Sequence, residues 1–347
     1  MRKRLLAVGL GVAGLVAFPA SGMAATIDVV AGESIQKAVN HAHPGDVIKV
    51  HPGTYRESVQ IKKNDLTLDG AGPDKKNGTV IKPRKHSKRC GGTAGFCVTQ
   101  HHGKRTTGTR IQDFLLRDFK DFGAVALGAS KTVFAHDKFV NDGEYGVAAF
   151  GSTRTRFVHD LATGGGEAGF YVGDSKQARA TLKDDTARDN GEFGYFLRDS
   201  SHGRVLDSKA KGNCLGIGLI NTGQAGGVRG WTVRDNDVRK NNKFCPGEEG
   251  GPPISGTGIG LIGAKKNSVQ GNTVLSNRPS QAGAPFAGGI VLFSGKPLGG
   301  TVSAENVIKR NDAHKNLPAD IRWDGKGKGN KFRQNHCDTS EPTGLCS

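Results

Sequence analysis

The chain has 347 residues, a formal net charge of +17, 53 glycines, two methionines and two tryptophans. That composition describes many tight turns and few large core side chains. The basic excess favours an acidic partner. After the amino terminus, no segment approaches the roughly 18–20 consecutive apolar residues that a membrane span needs.

Arg2-Lys3-Arg4, an apolar run from Leu5 to Phe18, Pro19 and small residues through Ala25 give the order of a secretory signal peptide over residues 1–25. The mature chain, residues 26–347, is therefore expected outside the cell, and export lowers the charge from +17 to about +14. Ile35, Ala38, Val39 and Ala42 share one helical face between Ser34, a cap candidate, and Pro44-Gly45, a stop. From Lys62 to Arg110 there are twelve Lys or Arg against three Asp, either a polyanion-binding surface or a solvated basic face. Export and the lack of interleaved aromatics argue against nucleic acid.

In an oxidising compartment the six cysteines read as disulfides. Spacing favours Cys90–Cys97, Cys214–Cys245 and Cys337–Cys346 among the fifteen pairings six cysteines allow.

From residue 123 a text repeats. "GAVALG", "GVAAFG", "GFYVGD", "GYFLRD", "GIGLIN", "GIGLIG", "GIVLFS" and a degenerate "DIRWDG" are Gly-led strands, the earlier ones about 23 to 25 residues apart. Between them runs apolar-x-x-Asn/Asp-x-apolar-x-x-x-Asn/Asp/Gly, as in "FAHDKFVND" and "VRDNDVRKN". Period-two alternation argues strand, and each repeat holds too little apolar surface to fold alone. The economical solution is a parallel β-coil. It stacks Asp137, Asp160, Asp185, Ser208, Asn236, Asn272, Asn311 and Asn335 in one hydrogen-bonded column. In "Gly-Glu-x-Gly-aromatic" the glycines read as bend residues and the aromatic as core.

These repeats resemble the right-handed parallel β-helix of the pectin-lyase-like superfamily, including NosD-type proteins. "ESIQKAVNHAHPGDVIKVHPGTYRESVQIKKNDLTLDGAG" resembles the amino-terminal cap of pectin esterases and polysaccharide lyases. The resemblance implies an all-β, single-stranded right-handed parallel β-helix whose amino-terminal helix plugs the open end. It divides the mature chain into a cap and first coils (26–95), repeat coils (96–336) and a disulfide-closed tail (337–347). It implies binding, with or without eliminative cleavage, of an acidic polysaccharide or cell-wall polymer by a monomeric secreted protein, with calcium as the implied cofactor. The fold also carries non-catalytic binding and structural proteins, which is the competing expectation. The QDT and DFIFG motifs of pectin esterases are missing, as are the NTD and RIK motifs of polygalacturonases and the DPHD motif of alginate epimerases.

If Phe170, Val172, Tyr195, Leu197, Ile217 and Leu219 point inward, then Phe150, Tyr171, Phe196, Arg198, Ile220, Ile262 and Phe293 point outward. Such a stripe is either roofed by the insertions at 243–257 and 278–289 or is a platform for sugar rings. Phe150, Tyr171, Phe196 and Asn221 are the candidate substrate contacts. Asp174, Asp199 and Asn221 sit at equal offset, so two stacked carboxylates need a cation, a shared proton or Arg198 beside them. In the lyase reading, calcium on Asp174 and Asp199 acidifies a uronate C5 proton and Arg198 removes it. Glu144, Glu167 and Glu192 stack at the other strand end, roughly 20 Å away, either holding calcium or facing water. His136 and His159, with Asp184, Asp207 and Asp235, form a further column, a candidate zinc or copper site or an ordinary polar bend.

Overall fold

The computed structural model of the chain describes residues 24–74, 76–247 and 251–346. Apart from Ala24 and Ala25, the signal peptide expected at 1–25 lies outside them. Tyr145–Phe150, Arg156–Val158 and Leu161–Thr163 make one coil. They pair in parallel with Ala168–Ser175, Thr181–Lys183 and Thr186–Arg188 of the next. Repetition of this step builds a parallel β-helix with a 22-stranded and an 11-stranded sheet. The two long faces join where one strand, Phe193–Leu206, runs through the corner. Among the described residues, no helix is long and apolar enough to cross a membrane.

Alternation along the Gly-led strands fixes the interior. Phe170, Val172, Tyr195, Leu197, Ile217 and Leu219 all lie in one continuous core. The Phe170 and Tyr195 rings stack with centroids 5.0 Å apart. The glycines of the repeat are there for a different reason than the sequence suggests. Gly143, Gly166 and Gly191 do not have positive φ. A Cβ on them would stand 1.9, 1.9 and 1.7 Å from a carbonyl oxygen of the coil before. Close approach of successive coils, not the bend, demands glycine there.

The predicted column forms without a break. Backbone amides of Asp137, Asp160, Asp185, Ser208, Asn236, Asn272 and Asn311 each donate to the side chain one coil on, at 2.8–3.2 Å. Where the column is asparagine, Nδ2 also donates to the next Oδ1, as from Asn236 to Asn272 at 2.9 Å. A second column carries Asn190, Asn213, Asn241, Asn277 and Asn316. A third, Asn267, Asn306 and Asn330, was not foreseen. The columns satisfy buried bend amides that no sheet partner reaches.

A helix caps the amino end of the coil. The helix Ile35–His41 buries Ile35, Ala38 and Val39, with Ser34 accepting from the Lys37 amide. Glu57 accepts from the Ile35 amide at 2.7 Å, which ties the cap to the first coils. All three expected disulfides form: Cys90–Cys97, Cys214–Cys245 and Cys337–Cys346.

Candidate functional site

The outward stripe is roofed. Tyr171, Phe196, Ile220 and Ile262 form a second apolar cluster, with Ile254 and Phe286 of the insertions, and Leu298 from the turn after Gly288–Phe293, packed against it. A short antiparallel hairpin, Phe244–Cys245 with Ile254–Ser255, holds one insertion, and the Cys214–Cys245 bond pins it to a coil. Tyr171 is fully buried and Phe196 is 6 % exposed, so neither offers a ring face to a sugar. Phe150, only partly buried, packs against Tyr171 with the rings tilted by 34° and centroids 4.6 Å apart. The platform expected at Tyr171 and Phe196 is thus the floor beneath a roof. Loop cover wins because an exposed aromatic stripe is costly in water.

Asn221 is also spoken for. Its Nδ2 donates to the Gly263 carbonyl and to Thr301 Oγ1, each at 3.2 Å, and its Oδ1 accepts from the Gly223 amide. It anchors a loop rather than facing a ligand.

Arg198 is the pivot of the polar part. The register sets it beside Gly173 and Ile220, two residues past the Tyr171–Phe196 pair and so on the same roofed face. Its Nη2 stands 3.5 Å from Asp174 Oδ1, and its Nε stands 4.0 Å from Asp199 Oδ2. The guanidinium carbon lies 5.9 Å from the Tyr171 ring centroid. Asp174 and Asp199 both adopt left-handed backbone, φ 54° and 43°. Their carboxylates nevertheless diverge: Asp174 is 40 % exposed, whereas Asp199 is wholly buried. Asp199 accepts from the Thr222 amide at 3.0 Å and from the Thr222 hydroxyl.

Two expectations change accordingly. The stacked carboxylates are offset by the guanidinium between them, so Asp174 and Asp199 do not require calcium. Burial disfavours the charge on Arg198, but Tyr171 and Asp174 outweigh it and hold the guanidinium pKa above its usual value. The guanidinium therefore stands as a positive charge beside Asp174.

The glutamate column forms through the backbone, Glu167 N donating to Glu144 O and Glu192 N to Glu167 O. The Tyr145 hydroxyl donates to Glu167 at 2.6 Å. Two of the glutamates share a cleft with Arg198, though not with Asp174 or Asp199. Glu167, Glu192, Phe196, Arg198 and Thr222 line one cleft of about 230 Å³ under the roof. Burial raises the Glu144 carboxyl, and the Arg198 charge pulls it partly back. Across the Arg198–Asp174 pair opens a larger cleft of about 630 Å³, whose lining includes Arg105, Thr153, Asp174, Lys176, Gln177 and Gln224. Arg105 is braced by the Gly151 carbonyl at 2.8 Å.

The histidine column is chiefly a bend column. Asp113, His136, His159, Asp184, Asp207 and Asp235 all have φ between 51° and 64°. The His136 and His159 rings stack at 5.4 Å, and each has one nearby carboxylate, Asp113 at 3.9 Å or Asp184 at 3.6 Å. A tighter convergence was missed: Asp312, His314 and His336 bring their ligand atoms together near the carboxyl end. The period carries the signal, since "NDAH" and "NHCD" are one coil apart.

The family described as right handed beta helix region matches residues 84–232. No curated protein sequence matches the chain. Among solved structures, the Dettilon tailspike protein is similar at TM-score 0.58 and 14% identity, covering 91% of this chain and 60% of its own. This chain therefore spans less than two thirds of that protein's length. The A-module of the Azotobacter vinelandii mannuronan C-5 epimerase AlgE6 is similar at TM-score 0.54 and 16% identity, with 88% and 92% of the two chains covered. A point mutant of the periplasmic alginate epimerase AlgG follows at TM-score 0.55 and 11% identity, with 89% and 83% covered. At these identities the likeness is one of fold, and it fixes the coil as right-handed.

Proposed function

We propose that this chain, a right-handed parallel β-helix of the pectin-lyase-like superfamily, is a secreted protein that binds an acidic polysaccharide along the face centred on Arg198. The observation that carries the reading is the Arg198–Asp174 pair between the two clefts. At 3.5 Å, with Arg198 35 % exposed, the pair is loose enough for a uronate carboxylate to take the place of Asp174. Arg198 Nε is buried and faces Asp199 Oδ2 at 4.0 Å, so the Nη2 end of the guanidinium is the part that meets Asp174 at this junction. Arg105 and Lys176 supply further positive charge along the open cleft, and the chain as a whole is strongly basic. The epimerases sharing the fold act on mannuronan and alginate, both uronate polymers.

Binding without cleavage is the form the geometry favours. Elimination needs a group near the C5 proton that gives up its own proton at ordinary pH. Arg198 holds its proton, and burial, the leading cause, raises the Tyr171 phenol as well.

The test is calorimetry of the oxidised mature chain against mannuronate, guluronate and galacturonate oligomers, with and without calcium. The ultraviolet absorbance of unsaturated uronate ends is followed in parallel. Charged oligomers are expected to bind, more weakly as salt rises, and neutral oligomers of equal length are not. Arg198→Ala is expected to weaken binding roughly ten- to a hundredfold, the range for a hydrogen bond to a charged group, with unchanged circular dichroism. Wild-type affinity in that variant would sink the placement of the site. A rise in absorbance would establish the lyase reading instead.

A further inference from the structure

We propose that Asp312, His314 and His336 form a binding site for a divalent cation of the zinc class, with Asp338 orienting His314, and that the ion clamps the last coils together. The site follows from strand register. Asp312–His314 pairs in parallel with His336–Cys337, Asp312 beside His336 and Ala313 beside Cys337. Ala313 points into the core, so Asp312 and His314 share the outer face, with His336 and Asp338 alongside on the next coil. The Asn311–Asn335 step of the buried column, at 3.2 Å, locks that register.

Three donor atoms meet in a nearly equilateral triangle. His314 Nε2 is 2.9 Å from Asp312 Oδ1, His336 Nδ1 is 3.0 Å from the same oxygen, and the two nitrogens are 3.1 Å apart. Ligands about 2.1 Å from one ion at right angles would be separated by about 3.0 Å, and tetrahedral ones by about 3.4 Å. The triangle is therefore one face of a coordination shell. Two imidazoles and one carboxylate, with the remaining positions open to solvent, suit a borderline first-row cation better than calcium or magnesium.

Proton counting points the same way. His314 Nδ1 lies 2.9 Å from Asp338 Oδ2. An ionised carboxylate only accepts, so Nδ1 carries the hydrogen toward Asp338, and Nε2 is the ring nitrogen turned toward Asp312 and His336. The carboxylate behind one imidazole nitrogen and an ion before the other is the arrangement that fixes a metal-binding histidine. The His136–His159 column lacks this convergence, having one distant carboxylate per ring.

The experiment uses the full mature chain, free of any histidine tag, stripped with a chelator and titrated with Zn²⁺ by calorimetry at about pH 7.5, where unperturbed histidines are neutral. Thermal unfolding is recorded with and without the metal. The expected result is one site of micromolar affinity or tighter, a higher thermal midpoint with Zn²⁺, and no such response to Ca²⁺ or Mg²⁺. His336 is 83 % exposed, so His336→Ala should fold normally while losing the site. Asp338→Asn should weaken binding roughly ten- to a hundredfold. A variant carrying both His136→Ala and His159→Ala should bind as the parent does. The proposal is overturned if the wild-type chain takes up no Zn²⁺ at micromolar concentration. It is equally overturned if His336→Ala keeps parental affinity, or if binding disappears with His136 and His159.

Discussion

Replacing Asn272 with alanine is expected to lower stability by about 3–9 kcal/mol, because it leaves three buried polar groups without partners at about 1–3 kcal/mol each. Asn272 Oδ1 accepts from the backbone amide and the side-chain amide of Asn236, at 3.0 and 2.9 Å. Its Nδ2 donates to the Val233 carbonyl at 3.0 Å and to Asn311 Oδ1 at 2.9 Å. Alanine removes all four contacts at a fully buried position. The orphans are the Asn236 amide, one Asn236 Nδ2 hydrogen and the Val233 carbonyl. Urea unfolding is the measurement, and a midpoint equal to that of the parent would refute the stabilising role of the column. Asn272→Asp, which keeps an acceptor and loses the donor, should fall between the two.

Asp137→Asn, in the same column, is expected to act in the opposite direction and stabilise the protein by on the order of 2 kcal/mol near pH 8. In the amino-terminal half the column is built of aspartates. Burial first, and the Asp160 charge next, raise the Asp137 carboxyl well above the ordinary range. Burial likewise pushes Asp160 up to about 8. Asp137 Oδ2 and Asp185 Oδ2 are buried without hydrogen-bond partners, as suits oxygens that hold a proton. In the unfolded chain these groups titrate near pH ~4. Above that pH the folded state keeps protons that the unfolded state has released. Stability from the column is therefore full below pH ~4 and declines as pH rises toward the raised folded values. Asparagine carries the hydrogen permanently and has no charge to bury. Its Nδ2 would donate to Asp160 Oδ1, as Asn236 does to Asn272. Melting curves from about pH 4 to about pH 9 should coincide for parent and Asp137→Asn at the acid end and separate toward the alkaline end. Parallel curves across the whole range would rule out the buried proton.

What the sequence revealed, and what it hid, follows from the kind of interaction involved. A coil of fixed period turns spacing in the text into adjacency in space. The Asp137-to-Asn335 column, the inward set Phe170 to Leu219 and the cysteine pairs could therefore be read directly. The column of Asn267, Asn306 and Asn330 escaped because it occurs only in the last coils, too few repeats to stand out as a pattern. Burial of Tyr171 and Phe196 depends on where two irregular loops come to rest, and alternation says nothing of that. Equal offset placed Asp174 and Asp199 on adjacent coils but could not show that Asp199 turns inward onto Thr222. The glycines of the repeat were visible, yet their reason, a carbonyl from the neighbouring coil, appears only in three dimensions.

The column holds its bonding pattern while the chain between successive members varies from 23 to 39 residues. Scaffold and surface are thereby decoupled. Segments leaving at the turn before a Gly-led strand can be lengthened, trimmed or exchanged without moving the atoms that carry the fold's stability. Such a molecule can acquire new specificity by swapping its roof, and transplanting the 243–257 hairpin together with its cysteine partner would be a direct way to engineer one.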